Sequence, residues 1–442
     1  MPQFPFENRI WDQAETLPRE QLEALQVRRL RDTVARVAHV PFYAEALAKA
    51  KVGPDDLRTV RDIRRLPITT KEDLRLHYPL GFLAVPRGQI ARIHGSSGTT
   101  GKPTFVAYTS EDLNTWANLC ARFLVAGGLR PEHTVQIAFG YGLFTGGFGL
   151  HYGVEKVGAA VVPAASGNTH RQIMLMRDLN AEVLVCTPSY ALNIADVARQ
   201  EGLDPAELPL TFAHFGGEPW TEDMRIEIER TMGILAFNNY GLSEVIGPGV
   251  SGECVARTGM HIQEDHFLVE CLDPDTLEPV AEGKAGELVF TALTKQAFPL
   301  LRYRTRDIAC LDSAACPCGR TTVRMGRVVG RTDDMLIIRG VNVFPSQIEE
   351  ALLRVEGTAP HYLIEVSRPE HLDEVSVKVE VRPQDFRDTM KDMQDLRMRI
   401  DRQIQIVTGI HVNVELVSPN TLERSAGKAV RVVDHRREKG QI

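Results

Sequence analysis

The sequence predicts an α/β fold with a large N-terminal domain and a small C-terminal domain. Short apolar strands alternate with helices between about residues 135 and 232, which is typical of a mostly parallel sheet with helices on both faces. Apolar runs follow one another without helices over residues 260–312, which indicates a small β-barrel-like part. The remaining stretch of about a hundred residues mixes strands and helices, as a separate α+β domain would.

Several helices are predicted before the alternating part of the chain. Residues 16–50 form helices that are interrupted at Val40–Tyr43, and a further helix begins at Thr69-Thr70-Lys71-Glu72. Another helix begins at Ser110, where two acidic residues in the first turn suit the helix dipole. The apolar positions with helical spacing in the first stretch are Leu22, Leu25, Val27, Leu30, Val34 and Val37.

The alternating part comes next in the chain. Its predicted strands are Val135–Phe139, Ala159–Pro163, Val183–Thr187 and Thr211–Phe215, and its predicted helices span 147–157, 169–180, 188–201 and 221–232. Three loops follow strand candidates, namely Tyr141–Gly147, Gly216–Trp220 and Asn238–Glu244. Since ligands of such sheets bind at the carboxyl ends of the strands, we expect these loops to converge on a ligand.

Two domains are expected, 1–332 and 333–442, with the boundary inside Gly330–Asp334. Before it, strands are predicted at His261–Leu272, Gly286–Thr291 and Asp307–Leu311. After it, the predicted order is strand Met335–Ile338, helix Pro345–Val355, strands 361–367 and 374–382, helix 385–406 and strand His411–Leu416.

Composition narrows the class of protein. The net charge of −7 is spread along the chain without a basic stripe, so no nucleic-acid partner is expected. No signal peptide is visible in Met1–Glu15, and no apolar run reaches the roughly 20 residues of a membrane helix. Seven cysteines fit a reducing cytoplasm better than a disulfide framework. Four of them lie in apolar contexts and are expected in the core: Cys120, Cys186, Cys271 and Cys310.

The segment His94–Thr104 has the chemistry of a phosphate cradle. Its glycines allow backbone N–H groups to approach a ligand, its hydroxyls add donors, and Lys102 adds a positive charge. It is not a Walker A loop, because five residues separate Gly95 from Gly101 and Pro103 follows the lysine. The alternative is a flexible turn between two strands.

Four other motifs carry candidate chemistry. Asn238–Glu244 could offer an adenine-binding face and a magnesium carboxylate, since magnesium needs only one or two carboxylates besides phosphate oxygens. Asp307 in Tyr303–Asp307 could hold ribose hydroxyls. Gly330–Asp334 would suit a hinge, and Ser425–Lys428 offers a lysine in a small-residue loop. The first two could instead be surface turns, and the lysine could simply face solvent.

A cysteine and histidine group forms a candidate metal site. Three thiolates and one imidazole would make a closed tetrahedral zinc site, structural because no position stays open. The alternatives are reduced thiols near the surface, or His266 in place of the histidine of this set. The set is Cys254, His261, Cys316 and Cys318.

Taken together, the motifs resemble those of the adenylate-forming superfamily of acyl-CoA ligases, most closely the phenylacetate–CoA ligase family. The resemblance covers nearly the full length and is most specific in Ser96–Thr104, Tyr141–Gly147, Tyr240–Glu244 and Arg339–Glu349. It implies an ATP-dependent, AMP-forming ligase that activates an aryl carboxylic acid, phenylacetate or similar, and transfers it to coenzyme A. The alternative is an adenylating enzyme that passes the acid to a carrier-protein thiol or another nucleophile.

The resemblance also implies roles for single residues. Glu244 would bind magnesium, Lys102 and Lys428 would act on the phosphates, and Asp333 would be the hinge of a mobile C-terminal lid. Lys428 would contact both the substrate carboxylate and the α-phosphate. ATP would contact Ser96, Ser97, Gly98, Thr99, Thr100, Gly101, Gly217, Glu218, Pro219, Asn239, Tyr240, Gly241, Ser243, Asp307 and Arg331.

The acyl pocket would be a flat apolar slot. Tyr141, Phe144, Gly146 and Gly216 would line it, while Phe139 and Phe148 are expected in the core. No cationic residue is evident in these segments, which disfavours a second substrate carboxylate. The expected partners are small molecules, the aryl acid, ATP and CoA, and a homodimer stays open. Similar cysteine and histidine quartets in relatives favour the zinc interpretation.

Overall fold

The computed structural model describes residues 6–96, 103–339, 341–369, 373–382, 390–424 and 429–436. The chain divides into two units. The first consists of Met1–Cys186, Leu208–Gly217 and Leu235–Arg327, and the second of Thr187–Glu207, Glu218–Ile234 and Val328–Ile442.

The first unit holds six helices and fourteen strands within its described residues. The helices are α1 (Arg19–Val37), α2 (Pro41–Ala50), α3 (Lys71–Leu76), α4 (Ser110–Ala126), α5 (Gly146–Val157) and α6 (Thr169–Asp178). The strands are β1 (Arg92–Ser96), β2 (Thr104–Tyr108), β3 (Thr134–Ile137), β4 (Ala160–Val162), β5 (Val183–Cys186), β6 (Phe212–Phe215), β7 (Leu235–Leu242), β8 (Gly247–Glu253), β9 (Met260–Ile262), β10 (Phe267–Leu272), β11 (Gly286–Ala292), β12 (Tyr303–Ala309), β13 (Leu311–Asp312) and β14 (Arg324–Met325).

A nine-stranded sheet forms the centre of the first unit, in the order β13-β14-β9-β8-β7-β6-β5-β3-β4. The half from β7 to β4 is parallel, as the alternation of strands and helices predicted. From β7 to β13 the pairing is antiparallel. The strands β10, β11 and β12 pair antiparallel in a second sheet.

The predicted helix starts are confirmed by their caps. Thr70 accepts a hydrogen bond from the Asp73 backbone at the start of α3, and Thr109 does the same for Asp112 in α4. Such caps satisfy N–H groups that have no partner inside the helix. The break between α1 and α2 covers Ala38–Val40 and lies slightly before the predicted Val40–Tyr43, because Pro41 already opens α2.

Asp307–Leu311, predicted as one strand, is divided, because β12 ends at Ala309 and β13, in another sheet, begins at Leu311. Two further predictions are also wrong. His261–Leu272 is not one strand, because a turn at 263–266 separates β9 from β10. Asp265 in that turn pairs with the buried Arg122, with Oδ1 and Nη1 2.8 Å apart. Asn238–Leu242, predicted as loop, lies in β7 and its first residue pairs with β6. Both differences arise from partners far away in the chain.

The phosphate-cradle segment lies at the tip of a hairpin. The strands β1 and β2 pair antiparallel, and their last pair joins Ser96 to Thr104. Ser97–Lys102 lie outside the described residues.

The N-terminal segment is tied to the strands around β14. Asn8 donates to the Cys318 carbonyl at 2.6 Å, and the Thr321 backbone donates to the Glu15 carbonyl at 3.0 Å. The buried Arg320 guanidinium lies 2.6 Å from the Glu15 carboxylate. These contacts give the buried polar groups that they join a partner within the protein.

The second unit contains four helices and seven strands in its described residues. These are α7 (Pro188–Gln200), α8 (Glu222–Met232), α9 (Pro345–Leu353), α10 (Met390–Thr408), β15 (Gly330–Arg331), β16 (Leu336–Ile338), β17 (Val341–Val343), β18 (Thr358–Ser367), β19 (Glu374–Val381), β20 (Asn413–Val417) and β21 (Val432–Asp434). A sheet of order β20-β19-β18-β21 shares one apolar core with α9 and α10. The elements predicted after Gly330 are confirmed to within a few residues where they are described, and the predicted start of the helix 385–406 lies outside the described residues.

Two of the four cysteines expected in the core, Cys120 and Cys186, are buried, whereas Cys271 and Cys310 are only half-buried. Among the described residues, no helix combines the length and the apolar character needed to cross a membrane.

Candidate active site

A tyrosine and a carboxylate meet where two strands of the first unit run close together. Tyr240 in β7 donates its hydroxyl proton to Asp307 Oδ2 in β12, across 2.6 Å. Both side chains are buried. The solvated turn considered for Tyr303–Asp307 is wrong, because this segment is strand β12 and Arg304 pairs with the buried Glu287.

The predicted magnesium carboxylate lies in the turn 243–246 between β7 and β8. The Glu244 side chain is only 9% exposed, and Lys71 Nζ lies 3.6 Å from its Oε1. Lys71 was missed by the sequence reasoning. A signal existed, because a cation at the first position of α3 is unfavourable next to the helix dipole and needs another reason to be there.

Three buried side chains hold the carbonyls that follow Glu244. Lys295 Nζ donates to the Val245 carbonyl at 3.0 Å, and the Tyr108 hydroxyl donates to the Ile246 carbonyl at 2.9 Å. Trp116 donates to the Pro248 carbonyl at 2.7 Å. We call Lys295, Tyr108 and Trp116 the turn clamp. Burial lowers the pKa of Lys295 to about 8, and the charges of Asp112 and Glu244 oppose that shift.

The expected adenine-binding loop begins at a close contact between β6 and β7. A Cβ at Gly216 would lie 2.6 Å from the Asn239 carbonyl, so only glycine fits there. The Asn239 amide donates to the Phe215 carbonyl at 2.8 Å. Gly217 has φ of 84°, a left-handed conformation that other residues rarely adopt.

The expected acyl-pocket residues form an aromatic cluster in the first unit. The Tyr141 hydroxyl lies 3.2 Å from His151 Nδ1, and burial raises the pKa of Tyr141. Phe148 is half-buried and meets Tyr141 edge-on, so the expectation that it lies in the core is wrong. Arg92 lies over the Phe148 ring at 5.0 Å, so a cation does lie beside this cluster.

Other predicted residues in the first unit are more tightly packed. Ser243 and Thr145 share a hydrogen bond of 2.8 Å between their hydroxyls. A Cβ at Gly146 would meet the Phe144 ring at 2.8 Å, and one at Gly241 would meet the Gly247 carbonyl at 2.1 Å. Phe139 is buried, as expected.

The remaining nucleotide candidates that are described belong to the second unit. Glu218 accepts hydrogen bonds from the backbone N–H groups of Ser189, at 2.8 Å, and of Ala429, at 3.0 Å. Pro219 follows it, shortly before α8. Arg331 pairs with Asp333, with 2.9 Å between Nε and Oδ1. Lys102 and Lys428 lie outside the described residues.

The predicted metal ligands form a buried cluster. One ligand atom from each of Cys254, His261, Cys316 and Cys318 lies within 4.8 Å of the others. The sulfur atoms of Cys254 and Cys316 are 3.7 Å apart, and Cys318 Sγ is 3.4 Å from His261 Nε2. Zinc bonds of about 2.3 Å to sulfur and about 2.0 Å to nitrogen separate tetrahedral ligand atoms by about 3.5–3.8 Å, so the cluster fits a zinc ion.

The histidine of this cluster is oriented by its other ring nitrogen. His261 Nδ1 lies 3.1 Å from the Thr322 hydroxyl and 3.3 Å from the Thr322 carbonyl, which leaves Nε2 facing the thiols. His266, the alternative ligand, instead pairs with Asp265 and with the Thr294 hydroxyl. Because all four ligands are buried, the alternative of thiols near the surface is wrong.

Comparison with known proteins identifies the class first. The model of the AMP-binding enzyme family matches residues 15–293, and that of the AMP-binding enzyme C-terminal domain matches residues 340–436. A crystal structure of 2-hydroxyisobutyryl-CoA ligase in the postadenylation state with 2-HIB-AMP has a TM-score of 0.92. It is 29% identical in sequence and covers 98% of this chain and 94% of its own.

Sequence relatives then narrow the class to a family. The phenylacetate-coenzyme A ligase of Thermus thermophilus is 52% identical over 438 residues, 96% of this chain and 98% of its own. The phenylacetate-coenzyme A ligase of Escherichia coli is 48% identical over 428 residues, which cover 96% of this chain and 97% of that protein. The chain belongs to the phenylacetate-CoA ligase family of the adenylate-forming enzymes, and it is an ATP-dependent acid–thiol ligase.

Proposed function

We propose that this ligase activates an aryl carboxylic acid, phenylacetate or a close analogue, and transfers it to coenzyme A. The observation that carries the proposal is the 52% identity with a phenylacetate-coenzyme A ligase over 98% of that protein's length. Transfer to a carrier-protein thiol, the alternative considered from the sequence, is not favoured, because four relatives that are 44–52% identical bear the name of CoA ligases.

The reaction has two steps with different electrostatic needs. In the first, a carboxylate oxygen attacks the α-phosphorus of ATP, and the bond to pyrophosphate breaks. Two anions approach each other, so the site must supply positive charge to the transition state. In the second, the CoA sulfur attacks the acyl carbon, AMP leaves with the electron pair of the broken bond, and the thiol proton is released.

The buried pair of Tyr240 and Asp307 supports a nucleotide site in the first unit. Asp307 would accept hydrogen bonds from the ribose hydroxyls, and the Tyr240 ring together with Asn239 would face the adenine. Glu244 would bind magnesium, which neutralises phosphate charge when bound. Lys71, 3.6 Å from Glu244, is a further cation beside that carboxylate.

Further residues complete the proposed roles. The hairpin segment from Ser96 to Lys102 would hold the β- and γ-phosphates, with Gly217, Glu218, Pro219 and Arg331 completing the nucleotide contacts. Lys428 would contact the carboxylate and the α-phosphate during adenylation, and rotation at Asp333 would withdraw it before CoA reacts. The boundary at 332/333 is part of this proposal.

Pyrophosphate release over a panel of aryl and aliphatic acids tests the function. With phenylacetate and ATP we expect pyrophosphate release in the absence of CoA, and phenylacetyl-CoA with stoichiometric AMP once CoA is added. Preference for an aliphatic acid would overturn the substrate class. Acyl-adenylate formation without transfer to CoA would overturn the acceptor.

We also propose that the cluster of Cys254, His261, Cys316 and Cys318 holds a structural zinc ion. Support comes from the fit of its ligand distances to tetrahedral zinc and from its burial. Purified protein should contain about one zinc ion per chain by elemental analysis. Less than half an equivalent would contradict the site. Cys271→Ser, at a half-buried cysteine outside the cluster, is the matched control and should retain the metal.

Two further expectations stay predictions. A homodimer would be detected by sedimentation, and a cytoplasmic location by fractionation of cells that express the protein.

A further inference from the structure

Lys295 is a buried cation for which neither the family resemblance nor the roles proposed above account. Lys295 is only 3% exposed, although burial of an ammonium group costs free energy because the group loses much of its hydration. Lys295 Nζ donates to the Val245 carbonyl at 3.0 Å and lies 4.3 Å from the centre of the Tyr108 ring. Both contacts suit a cation.

The backbone that carries Lys295 is itself fixed from the other side. Asp112, in the first turn of α4, accepts from the backbone N–H groups of Gln296, at 2.6 Å, and Ala297, at 2.9 Å. The same carboxylate caps α4 by accepting from the Thr109 backbone at 2.9 Å. Lys295 therefore extends from a rigid point at the start of α4 to the turn that carries Glu244.

The three members of the turn clamp act on a single short segment. Lys295 and Tyr108 hold the carbonyls of the two residues that follow Glu244, and Trp116 holds that of Pro248. Trp116 stacks on Tyr108, with ring centres 5.1 Å apart and planes 14° apart. A neutral donor could make the bond to Val245, but only a cation also places positive charge beside the Glu244 carboxylate.

We propose that Lys295 is a positioning residue for adenylation, holding the Glu244 turn so that the carboxylate meets the magnesium of bound MgATP in a fixed orientation. The proposal rests on the magnesium role proposed for Glu244. It predicts that loss of Lys295 damages the ATP-dependent step selectively, since the reaction of acyl-adenylate with CoA requires no magnesium at this turn.

The test measures each half-reaction separately in the full-length enzyme. Lys295→Met should lower kcat/KM for MgATP in pyrophosphate exchange by about tenfold or more, as expected for loss of one charge-assisted hydrogen bond. Thioester formation from supplied phenylacetyl-AMP and CoA should change less than about threefold. Lys295→Arg, which keeps the charge, should recover part of the exchange rate. Lys284→Met, at an exposed lysine, is the matched control and should leave both rates unchanged.

Repeating the test in an enzyme that carries Glu244→Gln distinguishes the role of Lys295 from that of Glu244. In Glu244→Gln enzyme, adding Lys295→Met should cause little further loss of exchange, because the two residues act through one group. Full additivity, or an equal fall in both half-reactions, would overturn the role of Lys295. If Glu244→Gln alone leaves exchange intact, the magnesium proposal fails instead. Should Lys295→Met not fold, Lys295→Leu also removes both the donor and the charge and carries the same expectation.

Discussion

A short hydrogen bond of 2.6 Å joins the Tyr240 hydroxyl to Asp307. Tyr240→Phe keeps the ring beside Phe290, 6.0 Å away between centres, and removes only the hydroxyl bonded to Asp307. We expect KM for ATP to rise about fivefold to tenfold, since a carboxylate without its partner is less well oriented. Steady-state kinetics with ATP varied measure this.

The matched control is Tyr78→Phe, at a tyrosine that is 41% exposed, which should leave KM for ATP unchanged. An unaltered KM in Tyr240→Phe would remove Tyr240 from the proposed ribose site.

Among the single substitutions, we expect the largest loss of adenylation activity from replacement of Lys428. Lys428→Ala should abolish pyrophosphate release with the acid and ATP, because it removes the charge that would stabilise the transition state at the α-phosphate. Thioester formation from supplied acyl-adenylate should persist. Lys284→Ala serves as the control for both assays, and equal loss of both half-reactions would contradict a lysine that acts in only one of them.

Candidate residues could be selected from the sequence where a motif surrounds them, but their partners could not. Local pattern singled out Glu244 and Asp307 as candidates. Their contacts with Lys71 and Tyr240 join residues 173 and 67 positions apart, and no local pattern encodes such a pairing. Arg92 was missed beside the aromatic cluster for the same reason.

Helices α4 and α5 approach closely because two glycines of α5 face α4. A Cβ at Gly149 would lie 2.4 Å from the Trp116 indole, and one at Gly153 would lie 2.5 Å from Cys120 Cβ. Gly149→Ala should therefore lower the free energy of unfolding by about 1–3 kcal/mol. Denaturation by urea measures the change.

Gly88→Ala provides the comparison, because nothing lies within 4 Å of a Cβ built there. We expect it to stay within about 0.5 kcal/mol of the parent. Equal effects of the two substitutions would argue that the contact with Trp116 does not limit the packing of α5.

The elements that the sequence predicted correctly are those with strong local periodicity. Helix α1 buries Leu22, Leu30, Val34 and Val37 as expected, and every predicted helix of the alternating part is found. The errors lie where polar residues become buried by distant partners. Arg302 pairs with Glu270 and Arg304 with Glu287, so a charged segment became an inner strand.

At the scale of the whole molecule, stability in acid should depend on His214. This side chain is fully buried in β6, and neither ring nitrogen has a hydrogen-bond partner among the described residues. Burial lowers its pKa to about 3. The unfolded chain binds a proton at higher pH than the folded one, so stability is complete above about pH 6.5 and falls as the pH drops towards 3.

Between pH 7 and pH 5, His214 should account for a loss of about 2 kcal/mol in the free energy of unfolding. His214→Leu should remove that part of the loss, whatever its effect on stability at pH 7. His411→Leu, at an exposed histidine, should retain the full pH dependence. Identical acid sensitivity in all three proteins would contradict the assignment. Unfolding in urea at the two pH values measures it.

Within the nine-stranded sheet, the parallel half was predictable from the sequence and the antiparallel half largely was not. The alternation of strands and helices predicts β3 to β7. The antiparallel strands β8, β9, β14 and β13 are only two to seven residues long, and their sequences have no distinctive pattern that would predict them. The division of the chain into two units at Cys186 and Thr187 could not be predicted from the sequence for a different reason. It assigns α7 and α8 to the second unit, although in sequence they are ordinary members of the alternation.

The ties of Asn8 and Glu15 to Cys318, Arg320 and Thr321 have a practical consequence for anyone preparing this enzyme. Trimming the first seventeen residues would leave a buried guanidinium without its counter-ion right next to a proposed zinc ligand. If the cluster holds zinc as proposed, a truncated preparation would lose it for reasons unrelated to the cysteines themselves, so purification tags belong at the opposite terminus or behind a spacer.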